Sequence, residues 1–101
     1  MKSSDDNKKE EFVRYIRKTG SSLGINIPFE VIEVLGLKKN EILRVTLKKI
    51  NNDGRIEFVR YIRKTGTSLG INIPFEVIKV LDLKENEIVR VMVEKAEKNE
   101  S

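Results

Sequence analysis

Residues 11–50 recur 46 positions later as residues 57–96, and this internal repeat limits the folds open to the chain more than any other feature. The pairs that differ are Ser21/Thr67, Glu33/Lys79, Gly36/Asp82, Lys39/Glu85, Leu43/Val89, Thr46/Met92, Leu47/Val93, Lys48/Glu94 and Ile50/Ala96, nine of forty. A unit of forty residues buries too little surface to be stable alone, so the two copies are expected to pack on each other. The joint, residues 51–56, contains Asn51-Asn52-Asp53-Gly54 between strand-like segments. Asp-Gly in that setting signals a hairpin, because the turn needs positive φ. One body with internal two-fold symmetry is therefore expected, not two beads on a string.

The differences are unevenly placed. The first 22 pairs hold only Ser21/Thr67, one hydroxyl for another. Either the N-terminal half of each unit has tolerated less change, or a recent duplication has diverged in a chance cluster. Unit 1 has eight basic and four acidic residues, and unit 2 has seven and six. Arg14, Arg17 and Lys18 nevertheless return unchanged as Arg60, Arg63 and Lys64. Because the units differ in charge, the effects of losing Arg17 and Arg63 are expected to differ.

Within one unit, Phe12–Lys18 is rich in β-branched and aromatic residues and reads as a strand. Thr19-Gly20-Ser21-Ser22 reads as a turn or loop. Leu23–Ile27 alternates, which turns Leu23, Ile25 and Ile27 inward and Asn26 outward. Pro28 suits the start of a helix of about two turns over Phe29–Leu35, with Val31, Ile32 and Leu35 on its buried face. Gly36 stands where a left-handed glycine would stop that helix. Unit 2 has Asp82 there, so its cap is expected to differ. A polar turn, Lys38–Glu41, leads to a last strand, Ile42–Lys48, with Leu43, Val45 and Leu47 on one side. Residues 1–10 and 97–101 are polar, lack periodicity and read as frayed tails.

Composition narrows the function. The chain contains neither cysteine nor histidine, so thiolate chemistry, disulfides and the commonest general base and metal ligand are excluded. No cofactor, metal site or catalytic residue is expected. Nor does any apolar run approach the roughly 20 residues of a membrane helix. With 20 basic and 16 acidic residues the excess charge is moderate, so its placement matters more than its size. A cytoplasmic protein without catalytic chemistry fits these limits.

The run R-K-T-G-S-S-L-G-I-N-I-P, a short helix, and then G-L-K-K-N-E-I-L-R-V resembles the AbrB/MazE/SpoVT swapped-hairpin family, and it does so twice. In that family two units, usually on two chains, interdigitate into one barrel. The resemblance thus implies a mainly β protein with short helices, a swapped-hairpin β-barrel formed as an intramolecular pseudo-dimer. Family members are bacterial and archaeal transcription regulators, or antitoxins that bind their own operator. By resemblance, the contacts to double-stranded DNA fall on Arg17, Lys18, Ser21, Ser22 and Asn26, with Arg63, Lys64, Thr67, Ser68 and Asn72. Many relatives carry arginine before the I-P where this chain has Asn26 and Asn72. Asparagine can read adenine or bond a phosphate but brings no charge.

Other readings stand beside this one. Arg17 and Lys18 could be a solvated strand end. Arg14 and Arg60 suit a structural salt bridge as well as a phosphate, and for Arg44 and Arg90 either role is open. Tyr15 and Tyr61 are expected to pack in the barrel. Gly20, Gly24, Gly66 and Gly70 read as turn and close-packing positions, and Glu30 and Glu76 as partners of the helix dipole. Alternative functions are an antitoxin that masks a toxin protein, although only EKNES follows unit 2, and an interaction module without DNA binding. The pseudo-dimer is expected to be monomeric, with further self-association open.

Overall fold

The computed structural model describes residues 8–51 and 53–96. Most of both expected tails, 1–7 and 97–101, lies outside the described residues. Eight strands and two helices follow in chain order: β1 (Glu10–Tyr15), β2 (Arg17–Thr19), β3 (Ser22–Asn26), α1 (Phe29–Leu35), β4 (Ile42–Lys49), β5 (Arg55–Tyr61), β6 (Arg63–Thr65), β7 (Ser68–Asn72), α2 (Phe75–Leu81) and β8 (Ile88–Lys95). Glu10, read as tail, belongs to β1 and pairs with Val93. Arg55 and Ile56, read as joint, belong to β5, where pairing with β4 extends the strand to Lys48 opposite Arg55.

The strands form two antiparallel sheets, ordered β1-β8-β4-β5 and β2-β3-β7-β6. Among the described residues these ladders do not join into one closed barrel. Each sheet mixes the repeats. β1 pairs with β8, and β5, its copy, pairs with β4. At the centre of one sheet Thr46 lies opposite Met92, and at the centre of the other Ile25 lies opposite Ile71. In both pairs a residue faces its own copy, so a two-fold axis passes through both sheets.

Alternation explains the core. Leu43, Val45 and Leu47 of β4 and Val89, Val91 and Val93 of β8 are fully buried, with Phe12, Ile56 and Phe58 packed beside them. Ile25, Ile27, Ile71 and Ile73 bury from the other sheet, and Val31 and Val77 from the helices. No charged or polar side chain is buried among the described residues. At about 1.5–3 kcal/mol for each large apolar side chain, burial in this single interior is the main force holding the repeats together.

Two local expectations need correction. The expected strand over Phe12–Lys18 is broken at Ile16, and its two parts lie in different sheets. Ile16 is fully buried; its amide donates to the Glu87 carbonyl (2.9 Å) and its carbonyl accepts from the Asn86 amide (2.8 Å). Those bonds to the other repeat take the place of a strand ladder. Ile62 does the same with Glu41 (2.8 Å) and Asn40 (2.9 Å). The second correction concerns the helix ends. Asp82 adopts the same left-handed conformation as Gly36, with φ 55° against 64°. The caps therefore share one backbone geometry, aspartate being among the few side chains that tolerate it.

Candidate nucleic-acid interface

The chain leaves the first sheet at Ile16 and Ile62, and the next residues, Arg17-Lys18 and Arg63-Lys64, form the edge strands β2 and β6 of the second sheet. Each edge strand turns into its neighbour through a two-residue turn, with Thr19 opposite Ser22 and Thr65 opposite Ser68. Gly20 and Gly66 take φ 66° there, which a side chain would strain. Ser21 and Thr67 sit exposed at the turn tips.

Registers decide which residues share a face. Arg17 lies opposite Gly24, and Gly24 opposite Asn72; likewise Arg63 lies opposite Gly70, and Gly70 opposite Asn26. Because opposed residues project to the same side and alternate residues along a strand do too, Arg17, Thr19, Ser22, Gly24 and Asn26 share the outer face with Arg63, Thr65, Ser68, Gly70 and Asn72. Six of the ten expected contact residues are thereby gathered: Arg17, Ser22, Asn26, Arg63, Ser68 and Asn72. Lys18 and Lys64 alternate to the other side but stay exposed at the sheet edges. At about 4.8 Å per strand gap and about 3.4 Å per residue, the Cα atoms of Arg17 and Arg63 stand roughly 16 Å apart.

Charge is free at those edges. Among the described residues, none of the side chains of Arg17, Lys18, Arg63 and Lys64 has a hydrogen bond or ion pair to another group. The two asparagines are more constrained. A Cβ at Gly24 would come within 2.9 Å of the Ile71 carbonyl and 3.3 Å of Asn72 Oδ1, and one at Gly70 would meet Ile25 and Asn26 in the same way. Glycine thus lets β3 and β7 approach and leaves room for each asparagine across the pair. Asn26 and Asn72 are half-buried, and Thr19 Oγ1 lies 3.5 Å from Asn72 Oδ1.

Four other arginines, Arg14, Arg60, Arg44 and Arg90, have structural partners. Arg14 Nε donates to the Asn26 carbonyl (3.2 Å) and Arg60 Nε to that of Asn72 (3.0 Å), tying β1 to the end of β3 and β5 to the end of β7. These bonds go to backbone, where a salt bridge or a phosphate contact was expected. Arg44 pairs with Glu94 (3.2 Å) and Arg90 with Glu11 (3.6 Å) on the outside of the first sheet.

Tyr15 and Tyr61 do not pack in the interior; they are 59% and 62% exposed. Phe12 and Ile16 take the inward positions of that segment, and alternation sends Val13 and Tyr15 outward. Tyr15, Arg17 and Lys18 line one groove with Glu85 and Asn86, and Tyr61, Arg63 and Lys64 line another with Lys39 and Asn40. The turn residues of both grooves were missed in the sequence. Their one visible signal was Lys39/Glu85 among the differing pairs. Asn40 and Asn86 hold φ 74° and 72°, and the turn is closed by Glu41 and Glu87, whose side chains accept from the Lys38 and Lys84 amides.

No family model and no curated protein matches the chain. A solved structure that resembles it is the solution structure of PHS018 from Pyrococcus horikoshii, 18% identical, with a TM-score of 0.68 over 88% of this chain and 95% of that one. That likeness is one of fold. No helix among the described residues is long and apolar enough to cross a membrane.

Proposed function

We propose that the chain is a DNA-binding transcription regulator of the AbrB/MazE/SpoVT swapped-hairpin type, acting as a covalent pseudo-dimer. The observation that carries the reading is the two-fold pair Arg17 and Arg63, exposed and without a carboxylate partner on one face of the second sheet. Duplex DNA presents phosphates on both sides of a groove, and a major groove is about 12 Å wide. Two arginines whose Cα atoms stand roughly 16 Å apart can bracket it. Lys18 and Lys64 extend the positive edge, and the hydroxyls of Ser21, Ser22, Thr67 and Ser68 supply short donors to phosphate oxygens. Asn26 and Asn72, held between the strands, present amides toward the groove floor. Pairing of each repeat's first strand with the other repeat's last strand supports the swapped-hairpin assignment.

Fluorescence anisotropy with a labelled duplex of mixed sequence, titrated at several salt concentrations, tests the proposal. The log of the affinity should fall steeply with the log of salt, and Arg17→Ala with Arg63→Ala together should lower that slope by up to about two. Absence of binding by the wild-type protein at low salt would sink it. One observation favours a second reading, a protein partner such as a toxin: Val13, Tyr15 and Ile88, and equally Ile42, Val59 and Tyr61, expose apolar surface on the outside of the first sheet. Pull-downs discriminate the two.

A further inference from the structure

The crossing of strands gives each basic pair a neighbour from the opposite repeat. Backbone bonds between Ile62 and both Asn40 and Glu41 hold the unit 1 turn against Arg63 and Lys64. The corresponding bonds of Ile16 hold the unit 2 turn against Arg17 and Lys18. The two grooves match except at one lining position. Lys39 stands beside Tyr61, Arg63 and Lys64, whereas Glu85 stands beside Tyr15, Arg17 and Lys18. Both residues are exposed, and neither has an ion-pair partner among the described residues. The nearby carboxylates are matched and occupied: Glu41 pairs with Lys95 and Glu87 with Lys49, while each also accepts a backbone amide of its own turn. One groove therefore holds three cations, and the other holds two cations and an anion. Unit 1 carries the greater positive charge in sequence, but part of that charge is delivered to the basic pair of unit 2.

We propose that the two ends bind duplex DNA unequally, with the groove of Lys39, Arg63 and Lys64 as the dominant phosphate contact, so that the bound protein has a direction along the duplex. This rests on the DNA-binding reading and adds to it an asymmetry that two identical subunits could not have. Near a phosphate in its groove, Glu85 opposes the attraction of Arg17 and Lys18, whereas Lys39 adds a third favourable charge in the other.

The test uses the full chain, the same labelled duplex, and two single variants in two backgrounds. In the wild-type background Arg63→Ala should lower the salt slope by about one, and Arg17→Ala by less than half as much. The exchange background carries Lys39→Glu and Glu85→Lys, which leaves net charge unchanged. There the order should reverse, with Arg17→Ala the more damaging. All substituted side chains are exposed, and thermal melts check that the fold is kept. Equal losses in the wild-type background, or an order that survives the exchange, would overturn the inference while leaving DNA binding intact. Failure of the wild-type protein to bind at low salt would overturn both.

Discussion

The helices of the two repeats stop at the same backbone conformation, but by different means. α1 ends on Gly36, which reaches the left-handed region without penalty. α2 ends on Asp82, whose Cβ makes that conformation costly, and there Lys49 of the other repeat intervenes. Its side chain is 14% exposed, and its ammonium donates to the Leu81 carbonyl (2.8 Å) and pairs with Glu87 (3.1 Å), placing a cation at the negative end of the helix. Lys95, its copy, lies near Glu41 at 3.5 Å and is 44% exposed. A weaker local stop in one repeat thus coincides with a long-range contact from the other. Once two copies share a body, a defect in one can be offset by a residue of its partner.

The largest effect is expected where the repeats should not differ. Ile16→Ala and Ile62→Ala each empty a fully buried site and should cost about 3 kcal/mol by urea denaturation, to nearly equal extents. A two-step unfolding curve, or one cheap and one severe substitution, would mean that the halves are not a single cooperative unit. The helix ends should separate more sharply. Lys49→Met is expected to cost about 1–2 kcal/mol, since it leaves helix-end carbonyls and Glu87 without their cation, while Lys95→Met should stay below about 0.5 kcal/mol. Equal losses would remove the asymmetry described above. Smaller than the Lys49→Met loss, and opposite in sign, is the gain from Asp82→Gly, about 0.5–1 kcal/mol, as relief of the left-handed strain outweighs the freedom restored to the unfolded chain. A fall in melting temperature would show that the Asp82 carboxylate, 3.2 Å from Lys84 Nζ, contributes more than its backbone costs.

Much of the fold could be read locally. The alternation of Leu43, Val45 and Leu47 placed them in the core, and Val31 sits on the buried side of its helix as expected. Gly36 was recognisable as a stop because glycine alone enters the left-handed region freely. The break at Ile16 carried no local sign: a β-branched run continues through it, and the cause is a pair of hydrogen bonds to residues 86 and 87. Tyr15 and Tyr61 were misplaced for a related reason. Apolar residues occur on both sides of that strand, so periodicity left the inward side to be chosen by packing. The basic pairs were legible as candidates because they recur unchanged. Their turn neighbours were not, because Lys39 and Glu85 lie far along the chain from the residues they stand beside.

Local chemistry in the chain sets the units: which stretches favour strand, helix or turn, where apolar residues alternate, and that two copies must share a core. These follow from backbone dihedral preferences and from the periods of helix and strand, which act over a few residues. Which repeat supplies each neighbour is set by long-range packing. Both sheets draw strands from both copies, Lys49 reaches the opposite helix, and Lys39 joins the arginine of the other unit. Because the repeats are nearly identical, pairing within or between them satisfies the same local rules. The choice falls to the arrangement that buries the apolar faces of both copies in one interior.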